Sequence, residues 1–335
     1  MQRQQQLTEW LHSLFPNERI TLSPASADAS FRRYFRASFA DGQTRIVMDA
    51  PPQREDCRPF LHIAKLFEDA GTHVPHVYAQ DMEQGFLLLS DLGNTTYLQA
   101  LSGGETGIAR TLYGDATDAL INIQLASRDN ELPPYDEALL KREMRLFPEW
   151  YITKHLNVTL TDAQNSKLEE VFARIIANNL AQPRVYVHRD YHSRNLMKLE
   201  DSNPGILDFQ DAVYGPITYD LASLFKDAYI CWKEADIIDW LIRYWEKARK
   251  AGLPLHNDFS EFYRDYEWMG VQRHLKVLGI FARLYHRDGK DGYLKDLPLV
   301  MSYLRTACAR YIDLKPLLNL LDTLEPQISK EGYTF

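Results

Sequence analysis

V-Y-V-H-R-D-Y-H-S-R-N-L-M at residues 185–197, followed by G-I-L-D-F-Q-D at residues 205–211, is the part of the chain that decides its fold. The first stretch contains the spacing H-x-D-x-x-x-x-N, in which Asp190 and Asn195 are the acidic and amide members. The second places Asp208 directly after a short apolar run. This is the layout of a phosphoryl-transfer loop followed by a metal-binding carboxylate.

These three polar side chains suit three different tasks. A carboxylate at Asp190 can orient an attacking hydroxyl and accept its proton as catalytic base. The side-chain oxygens of Asn195 and Asp208 are the hard ligands that Mg²⁺ prefers, so both are predicted metal ligands. The alternative is that Asp190 and Asn195 only cap a loop, but the apolar flanking strands and the second carboxylate favour the chemical interpretation.

Two further residues are predicted to support this loop rather than to react. His188 stands at the head of the loop, where a buried histidine that hydrogen-bonds to its neighbours is expected more often than an acid or base. Asp220 begins an apolar helix and is predicted to cap or anchor the loop from below.

Bulk composition excludes several classes of protein. The chain has 335 residues, of which 45% are apolar, and a formal net charge of −8, which disfavours general nucleic-acid binding. Its three cysteines are far apart, so neither a disulfide scaffold nor a zinc site is expected. No apolar run is long enough to span a membrane and the N-terminus resembles a packed helix, so we expect a soluble cytoplasmic protein.

The order of predicted elements indicates an α+β fold with two parts. Short apolar runs and the Asp41-Gly42 turn signal predict a small antiparallel sheet within residues 1–93, the nucleotide-binding domain. Residues 94–335 are mostly helical and carry the catalytic loop and the acceptor pocket. Helical patterns cover residues 55–70, 110–126, 135–155, 163–180, 235–251, 259–286 and 297–311.

Small residues dominate the stretch S-P-A-S-A-D-A-S-F-R-R-Y-F-R at residues 23–36. Ser26, Ala29 and Ser30 permit a close approach of the backbone to phosphate groups, and Arg32 supplies a positive charge. The stretch contains no glycine, so an ordinary hairpin with an arginine-rich outer face is an equal alternative.

These motifs resemble the aminoglycoside phosphotransferase and choline kinase-like superfamily, and the similarity extends over nearly the whole chain. The strings D-A-S-F-R-R-Y-F-R, I-V-M-D-A-P-P, K-R-E-M-R-L-F-P-E-W-Y and R-H-L-K-V-L-G-I-F-A-R-L-Y-H-R-D-G-K look closest to one branch. That branch comprises bacterial anomeric N-acetylmuramate and N-acetylglucosamine kinases of cell-wall recycling.

The resemblance implies a protein-kinase-like two-lobe fold that uses ATP and Mg²⁺ to phosphorylate the C1 hydroxyl of an amino sugar. It also implies a hinge whose backbone meets adenine, and a helix that forms one wall of the acceptor pocket. The nucleotide-binding residues expected at the hinge are Leu89, Asp91 and Leu92. The predicted acceptor-binding residues are Arg142, Glu143, Arg145, Asp211 and Trp232, although charged residues on such a helix often only face solvent and Trp232 could equally pack in the core.

The sequence departs from the superfamily pattern at the position of the strand lysine that normally pairs with ATP phosphates. Asp49 stands there, and no partner glutamate is evident near Phe60. We therefore hypothesise a rewired pair of Asp49 with Arg58, with Arg32 or Arg33 reaching the phosphates instead.

Two alternative functions remain open from sequence alone. The first is a kinase for another small alcohol, such as an aminoglycoside, choline or a ketoamine. The second is a pseudokinase that binds without catalysis, which only the missing lysine supports. Just eleven residues separate Asp208 from Asp220, which leaves little room for a platform that docks peptides and favours a small acceptor.

Overall fold

A computed structural model describes residues 2–27 and 31–328 of the chain. Contacts along the backbone group the chain into two compact units. The first comprises residues 1–100 and 195–211, and the second comprises residues 101–194 and 212–335. The prediction of a functional boundary at residue 93 stays a prediction, but the stretch that contains Asn195 and Asp208 packs with the first unit.

The chain alternates short strands with helices of very different length. The strands are β1 (Thr21–Ala27), β2 (Arg33–Ser38), β3 (Thr44–Asp49), β4 (Val77–Asp81), β5 (Phe86–Ser90), β6 (Arg184–Val187), β7 (Leu196–Met197), β8 (Gly205–Ile206) and β9 (Val213–Pro216). The α-helices are α1 (Gln2–Leu14), α2 (Arg58–Asp69), α3 (Tyr97–Ala100), α4 (Thr106–Leu125), α5 (Glu137–Met144), α6 (Asp162–Ala181), α7 (Tyr219–Phe225), α8 (Glu234–Ala251), α9 (Phe259–Asp288), α10 (Leu297–Arg310) and α11 (Lys315–Ile328). A π-helix spans Phe147–His155, and 3₁₀ turns span Asp291–Asp296 and Ile312–Leu314.

The first unit is built on a five-stranded antiparallel sheet in the order β1-β2-β3-β5-β4. The turn at Asp41-Gly42 joins β2 to β3, and Gly42 adopts a φ of +85°, a conformation that glycine enters without a steric penalty. Side chains that alternate along β3 and β5, such as Val47 and Leu88, pack against the apolar face of α1. The predicted sheet and hairpin are confirmed.

Helix α2 and the short β7–β8 hairpin complete the first unit. The ring of Phe60 on α2 lies 4.9 Å from the ring of Phe209, measured between centroids, and the ring of Phe67 lies 5.9 Å from it. The backbone N–H of Ile206 also donates a hydrogen bond to the carbonyl oxygen of His73, which lies shortly after α2. The strand end that precedes Asp208 is thus fixed by apolar packing and by backbone hydrogen bonds.

The second unit is mostly helical, and several of its other helices pack against α9. Most residues of α9 between Phe262 and Ala282 are buried. Gly279 of α9 is required by close packing, since a Cβ atom there would lie 2.3 Å from the backbone of Leu146. The short helix α7 is buried along its whole length, and the two-stranded β6–β9 pair leads into and out of this core.

One predicted helix is divided. The pattern over residues 135–155 predicted a single helix, but α5 ends at Met144 and a π-helix follows from Phe147. Pro148 stands in the first turn of the π-helix, where its missing N–H removes one hydrogen bond of a continuous α-helix. The remaining predicted helices are present with shifted ends, and the predicted α+β class with a small antiparallel sheet and a mostly helical remainder is confirmed. No helix within the described ranges is long and apolar enough to cross a membrane.

Candidate active site

Two carboxylates hold the loop that follows β6 in the second unit. The backbone N–H groups of His188 and Arg189 donate to the Asp220 side chain, with N–O distances of 2.7 and 3.0 Å. Further along, the N–H of Ser193 donates to Asp227 at 2.9 Å. Because Asp220 and Asp227 lie on and just after the buried helix α7, the loop is fixed to the core of the unit.

Asp190 lies within this held loop. Its backbone N–H donates to Nδ1 of the buried His188 at 3.3 Å, and Arg189 before it adopts a φ of +76°. This geometry agrees with supporting roles for His188 and Asp220. A positive φ at an arginine is unusual and is maintained here by the hydrogen bonds of the loop.

The charge state of Asp190 depends on its neighbours. Burial alone would raise the pKa of this carboxyl, but the positive charges of Lys276, Arg189 and Arg273, with a contribution from the neighbouring His192, outweigh burial and lower the pKa. Asp190 is therefore ionised at neutral pH, and a carboxylate is the form that accepts a hydrogen bond from a hydroxyl. Sequence reasoning missed Lys276 and Arg273 because they come from α9, far along the chain.

Glu143 of α5 lies at the centre of a buried polar cluster in the same unit. Its carboxylate accepts from Arg189 Nη2 at 2.5 Å, lies 3.2 Å from Lys276 Nζ and 3.2 Å from Gln272 Nε2, and also accepts from the Tyr135 hydroxyl. Burial would raise the pKa of Glu143, but the two cations and the hydrogen bonds outweigh it and lower the pKa. The carboxylate is thus occupied by protein donors, which favours support of the loop over the predicted sugar contact.

The other predicted acceptor residues occupy varied positions. Arg142 is exposed, and Arg145 forms a 2.8 Å surface ion pair with Glu169. Trp232 donates from Nε1 to the Tyr113 hydroxyl at 2.9 Å. Asp211 is exposed at the end of the first unit. Their contact with an acceptor stays a prediction.

Asn195 and Asp208 lie together in the first unit, on either side of the β7–β8 hairpin. The backbone N–H of Leu207 donates to the Asn195 carbonyl at 2.9 Å, and Asn195 Nδ2 lies 3.5 Å from Asp208 Oδ2. Asp208 also accepts from Gln210 at 2.8 Å and lies 3.5 Å from Arg32 Nη2. The hairpin thus brings both predicted metal ligands to one place.

This donor set fits Mg²⁺. An amide and a carboxylate both offer oxygen ligands, and the Asp208 side chain keeps 36% of its surface exposed. Within residues 2–27 and 31–328 no group of three or more His, Cys, Asp or Glu side chains could hold a metal by itself. Such a pair suits an ion that takes its remaining ligands from substrate phosphates and water.

The predicted hinge is fixed by an ion pair. Leu89 and Leu92 are buried, and Asp91 accepts from Arg36 Nε at 2.6 Å and from the N–H of Gly93 at 3.0 Å. Burial opposes ionisation of Asp91, but the Arg36 contact prevails and its pKa is lowered. Contact of the hinge with adenine stays a prediction.

The stretch predicted to cover phosphates is described only in part. The backbone of Ser26 pairs with Tyr34 in the sheet, and its side chain lies outside the described part of the molecule. Ala29 and Ser30 lie outside the described residues. Arg32 is the member of this group that the structure places, beside Asp208.

The hypothesis of an Asp49–Arg58 pair is wrong. Asp49 is fully buried and accepts from Arg3 of α1 at 2.8 Å and from Arg33 of β2 at 3.1 Å. Arg58 instead pairs at 2.8 Å with Asp56, two residues before it at the start of α2. Of the two partners, Arg3 was missed because only the packing of α1 on the sheet brings it to Asp49.

Three comparisons with known proteins agree with this geometry. The model of the phosphotransferase enzyme family matches residues 21–260. An N-acetylmuramate/N-acetylglucosamine kinase of Neisseria meningitidis serogroup B is 50% identical over 338 residues, and the match covers 100% of each chain. A choline kinase structure from Streptococcus pneumoniae has a TM-score of 0.63 at 14% identity, covering 91% of this chain and 100% of that one. An ADP-bound aminoglycoside phosphotransferase has a TM-score of 0.58 at 15% identity, covering 89% and 97%.

These findings confirm a protein-kinase-like fold and define the class of protein as a phosphotransferase with an alcohol group as acceptor. Within that class, the chain belongs to the phosphotransferase enzyme family.

Proposed function

We propose that the protein is an ATP- and Mg²⁺-dependent kinase that phosphorylates the C1 hydroxyl of N-acetylmuramate and N-acetylglucosamine during peptidoglycan recycling. The observation that carries the chemistry is Asp190, held on an anchored loop and kept ionised by surrounding cations. The choice of acceptor is supported by the full-length similarity to a kinase named for these two sugars.

In the proposed reaction, Asp190 accepts a hydrogen bond from the acceptor hydroxyl and orients its oxygen toward the γ-phosphorus. The new O–P bond forms as the bond between the β,γ-bridging oxygen and the γ-phosphorus breaks, and the hydroxyl proton passes to Asp190. Because phosphoryl transfer has a loose transition state, orientation matters more than early deprotonation, and an ordinary ionised carboxylate is sufficient.

The first unit supplies the proposed nucleotide and metal contacts. Asn195 and Asp208 would hold Mg²⁺, which when bound neutralises charge on the β- and γ-phosphate oxygens. Arg32 lies beside Asp208 and is our candidate for the cation that contacts phosphate in place of the missing lysine. Leu89, Asp91, Leu92, Ser26, Ala29 and Ser30 stay proposed nucleotide contacts.

We also propose that the protein acts in the cytoplasm on a small acceptor, without a nucleic-acid or membrane partner. The net charge of −8 supports the absence of a nucleic-acid partner, because the chain as a whole would repel a polyanion.

The direct test is ATP-dependent phosphorylation of both sugars with identification of the product. We expect a product with phosphate at C1, recognised by its acid lability, and about a 1000-fold lower kcat for Asp190→Asn. The matched control is Asp239→Asn, which removes an exposed carboxylate that pairs with Arg243 on α8. Phosphate at C6, or full activity of Asp190→Asn, would contradict the proposal.

A further inference from the structure

Arg273, near the middle of α9, is a buried cation whose charge acts on Asp190 and Asp220 but which forms no ion pair with a carboxylate within 4 Å among the described residues. Only 4% of its surface is exposed. Its Nη1 atom is buried without a hydrogen-bond partner, and the guanidinium forms no ion pair with any carboxylate in the described part of the chain. Burial of an unpaired charge is strongly unfavourable, so such a group in a stable fold requires an explanation.

The neighbouring cations make the contrast clear. Three permanently charged side chains act on Asp190, namely Lys276, Arg189 and Arg273. Lys276 and Arg189 both form ion pairs with Glu143, at 3.2 and 2.5 Å. Arg273 is therefore the member of this described group that forms no ion pair with a protein carboxylate within 4 Å.

Other polar atoms near Arg273 are also unpaired. Its charge acts on His192 and on Tyr266, and His192 Nδ1 and the Tyr266 hydroxyl are both buried without a hydrogen-bond partner. Ser193, next to His192, has a buried hydroxyl in the same condition. A buried guanidinium surrounded by unused donors and acceptors matches the composition of a site for an oxyanion.

We propose that Arg273 binds a carboxylate of the acceptor and thereby selects the acidic sugar. The inference rests on the proposed function and deepens it, because the two proposed acceptors differ in this group. N-acetylmuramate carries a lactyl carboxylate and N-acetylglucosamine carries none.

A carboxylate-binding site at Arg273 would offset electrostatic repulsion of an acidic acceptor. An acidic acceptor must approach the ionised Asp190 and the phosphates of ATP, and both repel it. The planar guanidinium of Arg273 can donate two parallel hydrogen bonds to a carboxylate, which offsets that repulsion and fixes the sugar in one orientation. A phosphate oxyanion of the nucleotide or product has the same chemistry, so the test must separate the two sources.

The test compares kcat/KM for the two sugars in Arg273→Gln and Arg273→Lys. We expect the ratio of N-acetylmuramate to N-acetylglucosamine to fall about 10- to 100-fold in Arg273→Gln, since a charge-assisted hydrogen bond to the carboxylate is lost. Arg273→Lys should retain part of the preference for N-acetylmuramate, because lysine keeps the positive charge but cannot donate two parallel hydrogen bonds. Arg264→Gln is the matched control, since Arg264 lies exposed on the same helix over the Trp268 ring.

The outcomes separate the possible roles. An equal loss for both sugars in both variants would show that Arg273 contacts phosphate or only supports the loop, and would overturn the inference. An unchanged ratio would overturn it as well. Since the position is buried, thermal unfolding of each variant establishes that it is folded, and Arg273→Lys gives the ratio if Arg273→Gln does not fold.

A binding measurement distinguishes failure of this inference from failure of the proposed function. Calorimetric titration of each sugar without ATP should give tighter binding of N-acetylmuramate to the unmodified protein and loss of that preference in Arg273→Gln. If no phosphate reaches C1 but this preference is present and depends on Arg273, the proposed function fails and the carboxylate site stands. If C1 is phosphorylated but neither ratio nor preference depends on Arg273, the inference alone fails.

Discussion

The two carboxylates that we propose for catalysis and metal binding, Asp190 and Asp208, lie in contrasting surroundings. Asp190 belongs to a loop whose backbone is held by Asp220 and Asp227, and cations from α9 keep it ionised. Asp208 follows a two-residue strand and keeps 36% of its side chain exposed, with Arg32 at 3.5 Å as its nearby cation.

The difference indicates that the protein fixes the two groups by different means. The environment of Asp190 is formed before any ligand binds, since Lys276 and Arg273 of α9 and Arg189 of the loop already favour its ionised form. The Asp208 side chain keeps 36% of its surface exposed, so the proposed ion and nucleotide would add further contacts to it. We therefore expect substitutions near Asp190 to affect folding as well as catalysis, and those near Asp208 to affect ligand affinity.

The largest effect should come from Glu143→Gln, which would break the pre-formed charge cluster beside Asp190. Loss of this carboxylate removes the buried ion pairs that Arg189 and Lys276 form with it, so we expect the free energy of unfolding at pH 7 to fall by about 3–5 kcal/mol. Urea unfolding of wild type and variant measures this change in the free energy of unfolding. Glu169→Gln, which removes only the surface pairs to Arg145 and Lys141, should change it by less than about 1 kcal/mol.

The pH dependence of this effect has a defined sign. The pKa of Glu143 is lowered below its ordinary 4.5 in the folded protein, so its stabilising contribution is present above that pH and is lost as the pH falls further. The difference in unfolding free energy between wild type and Glu143→Gln should therefore be constant from pH 7 to about 5 and shrink on further acidification. A difference that grows toward low pH would contradict the assignment of Glu143 as a buried anion.

These charge partners mark the limit of what the sequence predicts. The spacing of Asp190, Asn195 and Asp208 is local, and the hairpin that joins the last two follows from their flanking apolar strands, so sequence was sufficient to propose them together. The partners Arg3 of Asp49 and Lys276 of Glu143 come from distant helices, and only tertiary packing selects them. The π-helix at Phe147–His155 was not predicted because its apolar pattern also suits an α-helix.

An intermediate effect is expected for Asp208→Asn, which tests whether the role of Asp208, in contrast to that of Asp190, depends on Mg²⁺. Asparagine tolerates the positive φ of 63° found here, so the substitution removes charge without adding backbone strain. We expect about a 100-fold lower kcat, which is about 2.7 kcal/mol, and a higher Mg²⁺ concentration for half-maximal rate. Initial rates across a Mg²⁺ titration measure both.

Asp201→Asn is the control for this experiment, because Asp201 is exposed on the connection between β7 and β8. Its Mg²⁺ dependence should match the wild type. If Asp208→Asn shows the same Mg²⁺ dependence as this control, Asp208 is not a metal ligand and the contrast with Asp190 needs another explanation.

The smallest effect should come from Arg32→Gln, which tests the cation that lies 3.5 Å from Asp208. If Arg32 contacts phosphate in place of the missing lysine, the KM for ATP should rise about 10-fold while the KM for the sugar stays unchanged. Arg54→Gln is the control, since Arg54 is exposed and only stacks on the Phe31 ring. A double-mutant cycle with Asp208→Asn should be non-additive, because the two side chains lie 3.5 Å apart and would share one ligand. Additive effects, or a change in the sugar KM alone, would place Arg32 outside the nucleotide site.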